Sequence, residues 1–271
     1  MSRFRRIYVV GGPGMQGSVF YNLGFAAVVC VVCAIFVSSS AVALRDRQEA
    51  NALLDMQRNV LVAAGLAVSD EVLSPEEVTS RFSQIRQIVI ELATGEATDI
   101  APSTFDPRAA EVDPEQSRLA PPNNAGLSRV ATHALVYEIR DTNDALELVI
   151  LPVHGLGLWG ILYGFVALDA DLDTIRGLTY YEHKETPGLG GEVDNPRWKN
   201  LWSGRKVFGS NDTPVIEVAR GSAGSPEEDP HRVDGLAGAT MTSRGVTNMM
   251  RFWLDENGFK PYLAVLRRDN G

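Results

Sequence analysis

The feature that most constrains this chain is an uncharged stretch near its N-terminus. No charged residue occurs over positions 7–44, and the segment Val19–Leu44 reads VFYNLGFAAVVCVVCAIFVSSSAVAL. About 20 apolar residues in a helix cross the roughly 30 Å hydrocarbon core of a bilayer. The segment therefore predicts a single transmembrane helix over residues 19–44.

The residues before this segment predict its orientation. Three arginines lie within the first six residues, and cytoplasmic flanks are enriched in Arg and Lys. We therefore expect residues 1–18 in the cytoplasm of a bacterium, the helix in the inner membrane, and the remaining chain in the periplasm. A cleavable signal peptide is the alternative, because Ala41-Val42-Ala43 is similar to a cleavage site, although signal h-regions of about 7–15 residues are shorter.

The charge of the chain is divided unequally by the apolar segment. The 271 residues include 25 Lys or Arg and 34 Asp or Glu, for a net charge of -9. Three of the basic residues precede the segment, so the part after Leu44 has a net charge of -12. Nucleic acid is excluded as a main partner because phosphate binding needs a basic surface, whereas membrane lipid is an expected one.

Two patterns are interpreted as structural. Cys30 and Cys33 lie inside the apolar segment, where we expect small apolar packing residues; a metal site shared between subunits is the alternative. Gly155, Gly157 and Gly160 spell GxGxxG, but the strand-like ILYGFVAL follows them. A dinucleotide site needs a helix there, so we predict a glycine-rich turn between two strands.

The histidines show no metal-ligand spacing, and we assign no metal site within the chain. We interpret each of them as a surface or packed side chain. They are His133, His154, His183 and His231.

Helical spacing of apolar residues continues beyond the anchor through Arg45–Gly65, so we expect one helix to leave the membrane. A second helix is predicted to begin at Ser74 and to include Ile88 and Val89 on its apolar face. Residues 99–127 are rich in Pro, Asp and Asn and are predicted to be mostly loop. We assign residues 45–130 to a periplasmic helical and linker region.

Strands dominate the next part of the chain. Asp141–Asp144 forms a turn between the first two strands, and the last helix is expected after Thr242-Ser243 and before Gly258. Strands between flanking helices indicate an α+β fold with a mixed, mostly antiparallel sheet, assigned to residues 131–271. The predicted strands are Ala134–Ile139, Ala145–Val153, Ile161–Leu168, Arg176–Tyr181 and Val215–Val218.

The segment Asp234–Ser243, DGLAGATMTS, leads into the last helix. Gly235 and Gly238 permit close approach of the backbone to a ligand. A helix N-terminus offers free N–H groups and a positive dipole end, which suit a phosphate group. An ordinary capped turn, with Thr242 or Ser243 as N-cap, is the alternative.

This segment resembles the flavinylation motif of the FMN-binding domain family, D-x-x-(S/T)-G-A-T. In that family the last threonine carries FMN through a phosphoester bond that a separate flavin transferase installs. Asp234, Gly238, Ala239 and Thr240 match the motif, whereas Ala237 departs from its usual Ser or Thr. The resemblance implies FMN attached to Thr240 and recognition of the four matching residues by the transferase.

Longer segments resemble the C subunit family of the Na+-translocating NADH:quinone reductases. They include residues 43–66, 150–169, 180–202 and 248–263, and the most specific is Glu185–Glu192, ETPGLGGE. The resemblance implies a one-electron carrier within a translocase. Electrons from NADH reach it through FAD and iron–sulfur centres of other subunits and leave to the covalent FMN of the B subunit, then riboflavin and ubiquinone.

The same resemblance implies the A, B, D, E and F subunits as partners, with B, D and E foremost. The chain would be an enzyme only within that complex, so no residue is assigned a catalytic role.

Trp159 and Tyr163 have rings that stack on flavins, but aromatic residues in strands are more often core. A rigid loop packing against the sheet is the alternative role for ETPGLGGE. The expected FMN-binding residues are Glu185, Thr186, Gly188, Leu189, Gly238, Ala239, Met241 and Thr242.

Two rival interpretations remain. One is the G subunit of an ion-translocating ferredoxin:NAD+ reductase of the Rnf type, which shares the anchor and the flavinylated domain. The post-anchor helix and the ETPGLGGEVDNPRWK stretch favour the sodium pump. The other is a non-redox, membrane-anchored binding protein that has lost its flavin, with Ala237 as the trace of that loss.

Overall fold

The computed structural model describes residues 19–68 and 71–269, so the prediction for residues 1–18 lies outside the described residues. The contacts divide the chain into two units, with the boundary between Ala52 and Leu53. Helix α1, Val19–Ala63, is 45 residues long and runs from the first unit into the second, which confirms the predicted extension of the anchor. Its Val19–Arg45 part has a mean hydropathy of 2.6 and suffices in length and composition to cross a membrane.

The second unit is built on a five-stranded sheet with the order β1-β4-β5-β6-β7. All four neighbouring pairs are antiparallel, which confirms the predicted fold class. The predicted turn between β4 and β5 is also confirmed: the Asp141 carboxylate accepts hydrogen bonds from the N–H groups of Asn143 and Ala145. The strands are β1 Arg86–Glu91, β4 His133–Arg140, β5 Leu146–Leu156, β6 Ile161–Asp169 and β7 Ile175–Glu182.

The second helix is shorter than predicted. Helix α2, Pro75–Phe82, begins with the expected Ser74 cap, which accepts from the Glu77 N–H. Ile88 and Val89, predicted on this helix, lie on β1 instead. A run of β-branched residues favours an extended backbone, and pairing with β4 stabilises it. The boundary drawn at residue 130 therefore does not coincide with an edge of the sheet.

Residues 99–127 are mostly loop, as predicted, and contain three short regular elements. The carboxylate of Asp106 caps helix α3, Pro107–Val112, by accepting from the N–H groups of Arg108 and Ala109. These elements are too short to show a hydrophobic period, so the sequence pattern does not predict them. The short elements of the chain are a 3-10 helix at Pro102–Thr104, β2 Ser117–Leu119, β3 Arg129–Ala131, a 3-10 helix at Gly190–Asp194, α4 Pro196–Asn200, β8 Glu217–Val218 and β9 Arg232–Val233.

Apolar residues cover both faces of the sheet. Val149 and Val166 belong to a core shared with helices α5, Thr240–Trp253, and α6, Lys260–Asp269. Their neighbours Ile150 and Ala167 point to the opposite face, where Leu53–Ala63 of α1 and helix α2 pack. Successive side chains of a strand alternate between faces, so one sheet organises two cores. Helix α6 follows a short turn after α5, and the apolar pattern did not predict it.

Three buried tyrosines make the stability of this unit sensitive to alkaline pH. Burial, with the nearby Asp194, raises the pKa of Tyr180, whose hydroxyl has no hydrogen-bond partner among the described residues. Burial also raises the pKa values of Tyr137 and Tyr262. A raised folded-state pKa favours the neutral phenol, so this stability is complete below pH ~10 and is lost above it, by up to about 1.4 kcal/mol per pH unit for each tyrosine.

Tyr180→Phe is expected to lose less stability at alkaline pH than the wild type. The variant removes an unpaired buried hydroxyl, so its free energy of unfolding at pH 7 should equal or exceed that of the wild type by about 1 kcal/mol. Urea titrations at pH 7, 10 and 11 should show a shallower decline for the variant. Tyr262→Phe is the control, because it breaks the 2.6 Å bond to Glu138 and should destabilise at pH 7. Equal declines for Tyr180→Phe and wild type would contradict the account.

Candidate functional site

Helix α5 begins inside the DGLAGATMTS segment. Thr240 is its first residue and is exposed, and no side chain in the described part of the chain caps the helix start at Ala239. The last helix therefore begins earlier than predicted, and the alternative in which Thr242 or Ser243 is the N-cap is wrong. Both residues lie buried in the first turn, where the Ser243 hydroxyl accepts from the N–H of Leu236 and holds the preceding loop against the helix.

A glycine fixes α5 close to the sheet. A Cβ at Gly245 would collide with the carbonyl oxygen of Leu156, the last residue of β5. On the same helix the Thr247 hydroxyl accepts from the N–H of Val218 at 2.9 Å and donates to the carbonyl of Ser243 at 3.1 Å. These contacts set the position of the helix start relative to the end of β5.

The GLGLWG pattern forms the predicted turn between two strands. Strand β5 ends at Leu156 and β6 begins at Ile161, and the N–H of Gly157 donates to the carbonyl of Gly160 at 2.8 Å. No helix follows within this segment, so the geometry is not that of a dinucleotide fingerprint. The turn instead displays Trp159, whose side chain is 66% exposed.

The ETPGLG loop lies beside this turn and beside the start of α5. Pro187 and Gly188 form a tight turn in which the N–H of Leu189 donates to the carbonyl of Thr186 at 3.1 Å. Gly188 has a φ of 75°, which suits the third position of a type II turn. The Leu189 side chain lies 3.0 Å from where a Cβ of Gly238 would stand. The structure thus brings the ETPGLG loop and the DGLAGAT segment together.

Glu185 connects these segments through its buried carboxylate, which is 5% exposed. Its Oε1 accepts from the N–H groups of Leu158 and Trp159, each at 2.9 Å. Its Oε2 accepts from the Thr242 hydroxyl at 2.5 Å. The sequence nominated Glu185 and Thr242 as neighbours of a ligand, and the structure shows their side chains hydrogen-bonded to each other.

Large apolar side chains remain exposed on the three segments that Glu185 connects. We call them the apolar surface: Leu158, Trp159, Leu189 and Met241, each 45–66% exposed. They project from the turn, the ETPGLG loop and the first turn of α5. Convergent apolar groups beside a few polar ones are typical of sites for planar organic ligands. Thr240, an exposed residue that carries a hydroxyl, is the first residue of a helix without a side-chain cap, which suits a phosphate.

Asp234 holds the neighbouring loop rather than pointing to solvent. Its carboxylate accepts from the N–H of Ala223 at 2.7 Å and from the Ser222 hydroxyl at 3.3 Å. Its carbonyl accepts from the indole N–H of Trp198 at 2.8 Å. Ala237, the one departure from the motif, is exposed, so the missing hydroxyl leaves no buried group without a partner.

The remaining candidates lie outside this arrangement. Tyr163 is half-buried, stacks on His154 and lies under the guanidinium of Arg108 at 4.1 Å, so it serves packing. Cys30 and Cys33 are exposed on α1. Over residues 19–68 and 71–269, no three His, Cys, Asp or Glu side chains group as metal ligands.

Comparison with known proteins identifies the family. Residues 157–255 match the FMN-binding domain family. The C subunit of the Na(+)-translocating NADH-quinone reductase from Yersinia pestis is 42% identical over 257 residues, covering 94% of this chain and 96% of that protein. The corresponding protein from Pseudomonas aeruginosa is 43% identical over 258 residues, covering 93% and 98%.

The fold agrees with a solved relative. The crystal structure of Shewanella oneidensis NqrC matches with a TM-score of 0.72 and 35% identity, over 79% of this chain and 97% of that one. Sequence and fold together confirm the resemblance seen in the motifs. The chain belongs to the C subunit family of the Na(+)-translocating NADH-quinone reductases, whose members are flavin-binding components of an oxidoreductase complex.

Proposed function

We propose that this chain carries one FMN through a phosphoester to the Thr240 hydroxyl and transfers single electrons within its reductase complex. One observation carries the proposal: the DGLAGAT segment presents an exposed Thr240 hydroxyl at the uncapped start of the 14-residue helix α5. The positive end of the helix dipole stabilises an attached phosphate. Gly238 and Ala239 supply the close backbone beside it.

The apolar surface is the proposed seat of the flavin ring. Leu189 and Met241 flank Thr240 from two segments, and Trp159 offers an indole face for stacking. Thr186 and Gly188, exposed in the ETPGLG turn, supply polar backbone groups at its edge. The bound flavin supplies the redox chemistry, and these residues hold it and exclude water.

The proposed electron path enters from iron–sulfur centres of neighbouring subunits and leaves to the FMN of the B subunit. The D and E subunits are the expected neighbours besides B, within an assembly that includes A and F. A covalent attachment suits a periplasmic domain, because flavin lost there is separated from the cytoplasmic pool. The attachment also limits the ring to a fixed radius around Thr240, and electron transfer weakens steeply with distance.

The proposal places the chain in the bacterial inner membrane with residues 1–18 cytoplasmic, 19–44 spanning, and 45–130 and 131–271 periplasmic. A variant with Cys30 and Cys33 replaced by Ala and with the exposed Ser210 replaced by Cys tests this topology. A membrane-impermeant thiol reagent should label it in spheroplasts. Labelling that requires lysis of the inner membrane would reject the orientation.

Expression with and without a flavin transferase tests the covalent flavin. With the transferase, the band on a denaturing gel should fluoresce under blue light; without it, the band should be dark. A dark band in both cases would contradict the proposal and would favour a non-redox binding protein.

A further inference from the structure

We propose that Glu185 is the positioning residue of the flavin site, and this rests on the function proposed above. Its carboxylate accepts three hydrogen bonds from groups of the chain, so it acts through the segments that it holds. It ties the Gly157–Gly160 turn, the ETPGLG loop and the first turn of α5 into one unit. It also places a fixed negative charge beneath the apolar surface, which makes the flavin harder to reduce.

The carboxylate of Glu185 accepts its hydrogen bonds from groups of the chain itself. Two backbone N–H groups donate to Oε1 and the Thr242 hydroxyl donates to Oε2. Two of the three partners are backbone N–H groups, which can only donate, so they need an acceptor oxygen at this position. A glutamine in its place would direct its NH2 group at the Thr242 hydroxyl, which can rotate to accept that hydrogen bond, so the substitution removes the charge and can keep the contacts.

Glycines enclose this carboxylate. A Cβ at Gly157 would stand 2.5 Å from Oε1, and a Cβ at Gly190 would stand 2.5 Å from both Oε2 and the Thr242 hydroxyl. The backbone of the turn and that of the loop therefore approach the charge directly. Glycine at these two positions serves the packing around Glu185 and not a phosphate contact.

The backbone of Glu185 is held as well. Its N–H donates to Nδ1 of His183 at 3.2 Å, and Nε2 of the same ring lies 2.7 Å from the Asp194 carboxylate. The carboxylate and the backbone of Glu185 are therefore both held by hydrogen bonds. Glu185 therefore fixes the positions of the segments that carry Trp159, Leu189 and Met241.

The fixed charge has an electrostatic consequence. Reduction adds negative charge to a flavin, and a buried carboxylate on the adjoining segments opposes it more strongly than an exposed one. Removing the charge should therefore favour the reduced flavin. The expected change in the equilibrium between oxidised and reduced flavin is about tenfold, which is ~59 mV for a one-electron step.

The experiment compares Glu185→Gln with wild type in the full-length chain, flavinylated by coexpression with the transferase and purified in detergent. The midpoint potential and the flavin fluorescence anisotropy are measured. Glu185→Gln should keep covalent flavin and raise the potential, while the anisotropy stays near that of the wild type. Glu182→Gln is the matched control, because Glu182 is half-exposed and pairs with Arg108 on the surface; it should match wild type in both readouts.

Thr242 provides a second pair of variants if Glu185→Gln does not fold. Thr242→Val removes one donor to Oε2 and keeps the charge, so the anisotropy should fall while the potential stays near wild type. Thr242→Ser restores the hydroxyl and should restore the anisotropy. Wild-type anisotropy in Thr242→Val, or a wild-type potential in a folded Glu185→Gln, would overturn the inference. Absence of covalent flavin from the wild type would instead reject the proposed function.

Discussion

Thr240→Val should abolish the covalent flavin and leave the chain folded. Valine replaces the hydroxyl by a methyl group of similar size, so no atom remains to form the phosphoester. Thr240 is exposed at the first position of α5, and the substitution should change the free energy of unfolding by less than about 0.5 kcal/mol. In-gel flavin fluorescence after coexpression with the transferase measures the first effect, and thermal unfolding measures the second.

Ala237→Ser is the matched control for this variant. Position 237 is exposed three residues before Thr240, and serine restores the usual residue of the flavinylation motif. This variant should carry at least as much flavin as the wild type. Fluorescence that survived in Thr240→Val would contradict the assignment and would direct attention to Thr242.

Gly245→Val should have the largest effect on stability among the changes in α5. Its side chain would collide with the carbonyl of Leu156 at the end of β5, and backbone cannot move aside as a flexible side chain can. We expect a loss of about 3 kcal/mol in the free energy of unfolding, which lowers the Tm by about 6–12 °C for a unit of this size. Displacement of the helix start should also reduce flavin incorporation at Thr240.

Arg244→Ala separates this packing effect from a general effect on the helix. Arg244 is exposed next to Gly245, and alanine is a strong helix former, so its unfolding should lie within about 0.5 kcal/mol of wild type. Thermal unfolding of both variants without flavin isolates the effect of packing. A Gly245→Val variant as stable as Arg244→Ala would contradict the close approach of α5 to β5.

The parts of the fold that follow from the sequence are those with a long local pattern. Helix α1 and strands β4, β5 and β6 were predicted because apolar runs and turn residues specify them without knowledge of the fold. Strand β1 was missed because its apolar residues also fit the period of the preceding helix. Only the partner strand β4, more than 40 residues away, decides between these alternatives.

The residues of the candidate site, too, were predictable from the sequence only where a local pattern marks them. Thr240 was identified because its neighbours match a motif. The ETPGLG loop was identified because its sequence is distinctive. The hydrogen bonds of the Glu185 carboxylate join residues 26 to 57 positions apart, and no local pattern encodes them. The spacing of Gly157 and Gly190 around one carboxylate becomes meaningful only once the strands and the loop are in place.

The most direct test of the central claim is tandem mass spectrometry of a tryptic peptide. Cleavage after Arg232 and Arg244 releases residues 233–244, which contain Thr240, Thr242 and Ser243. From protein coexpressed with the transferase, this peptide should carry the mass of FMN less one water, with fragment ions that place it on Thr240. An unmodified peptide, or the added mass on Thr242 or Ser243, would contradict the account.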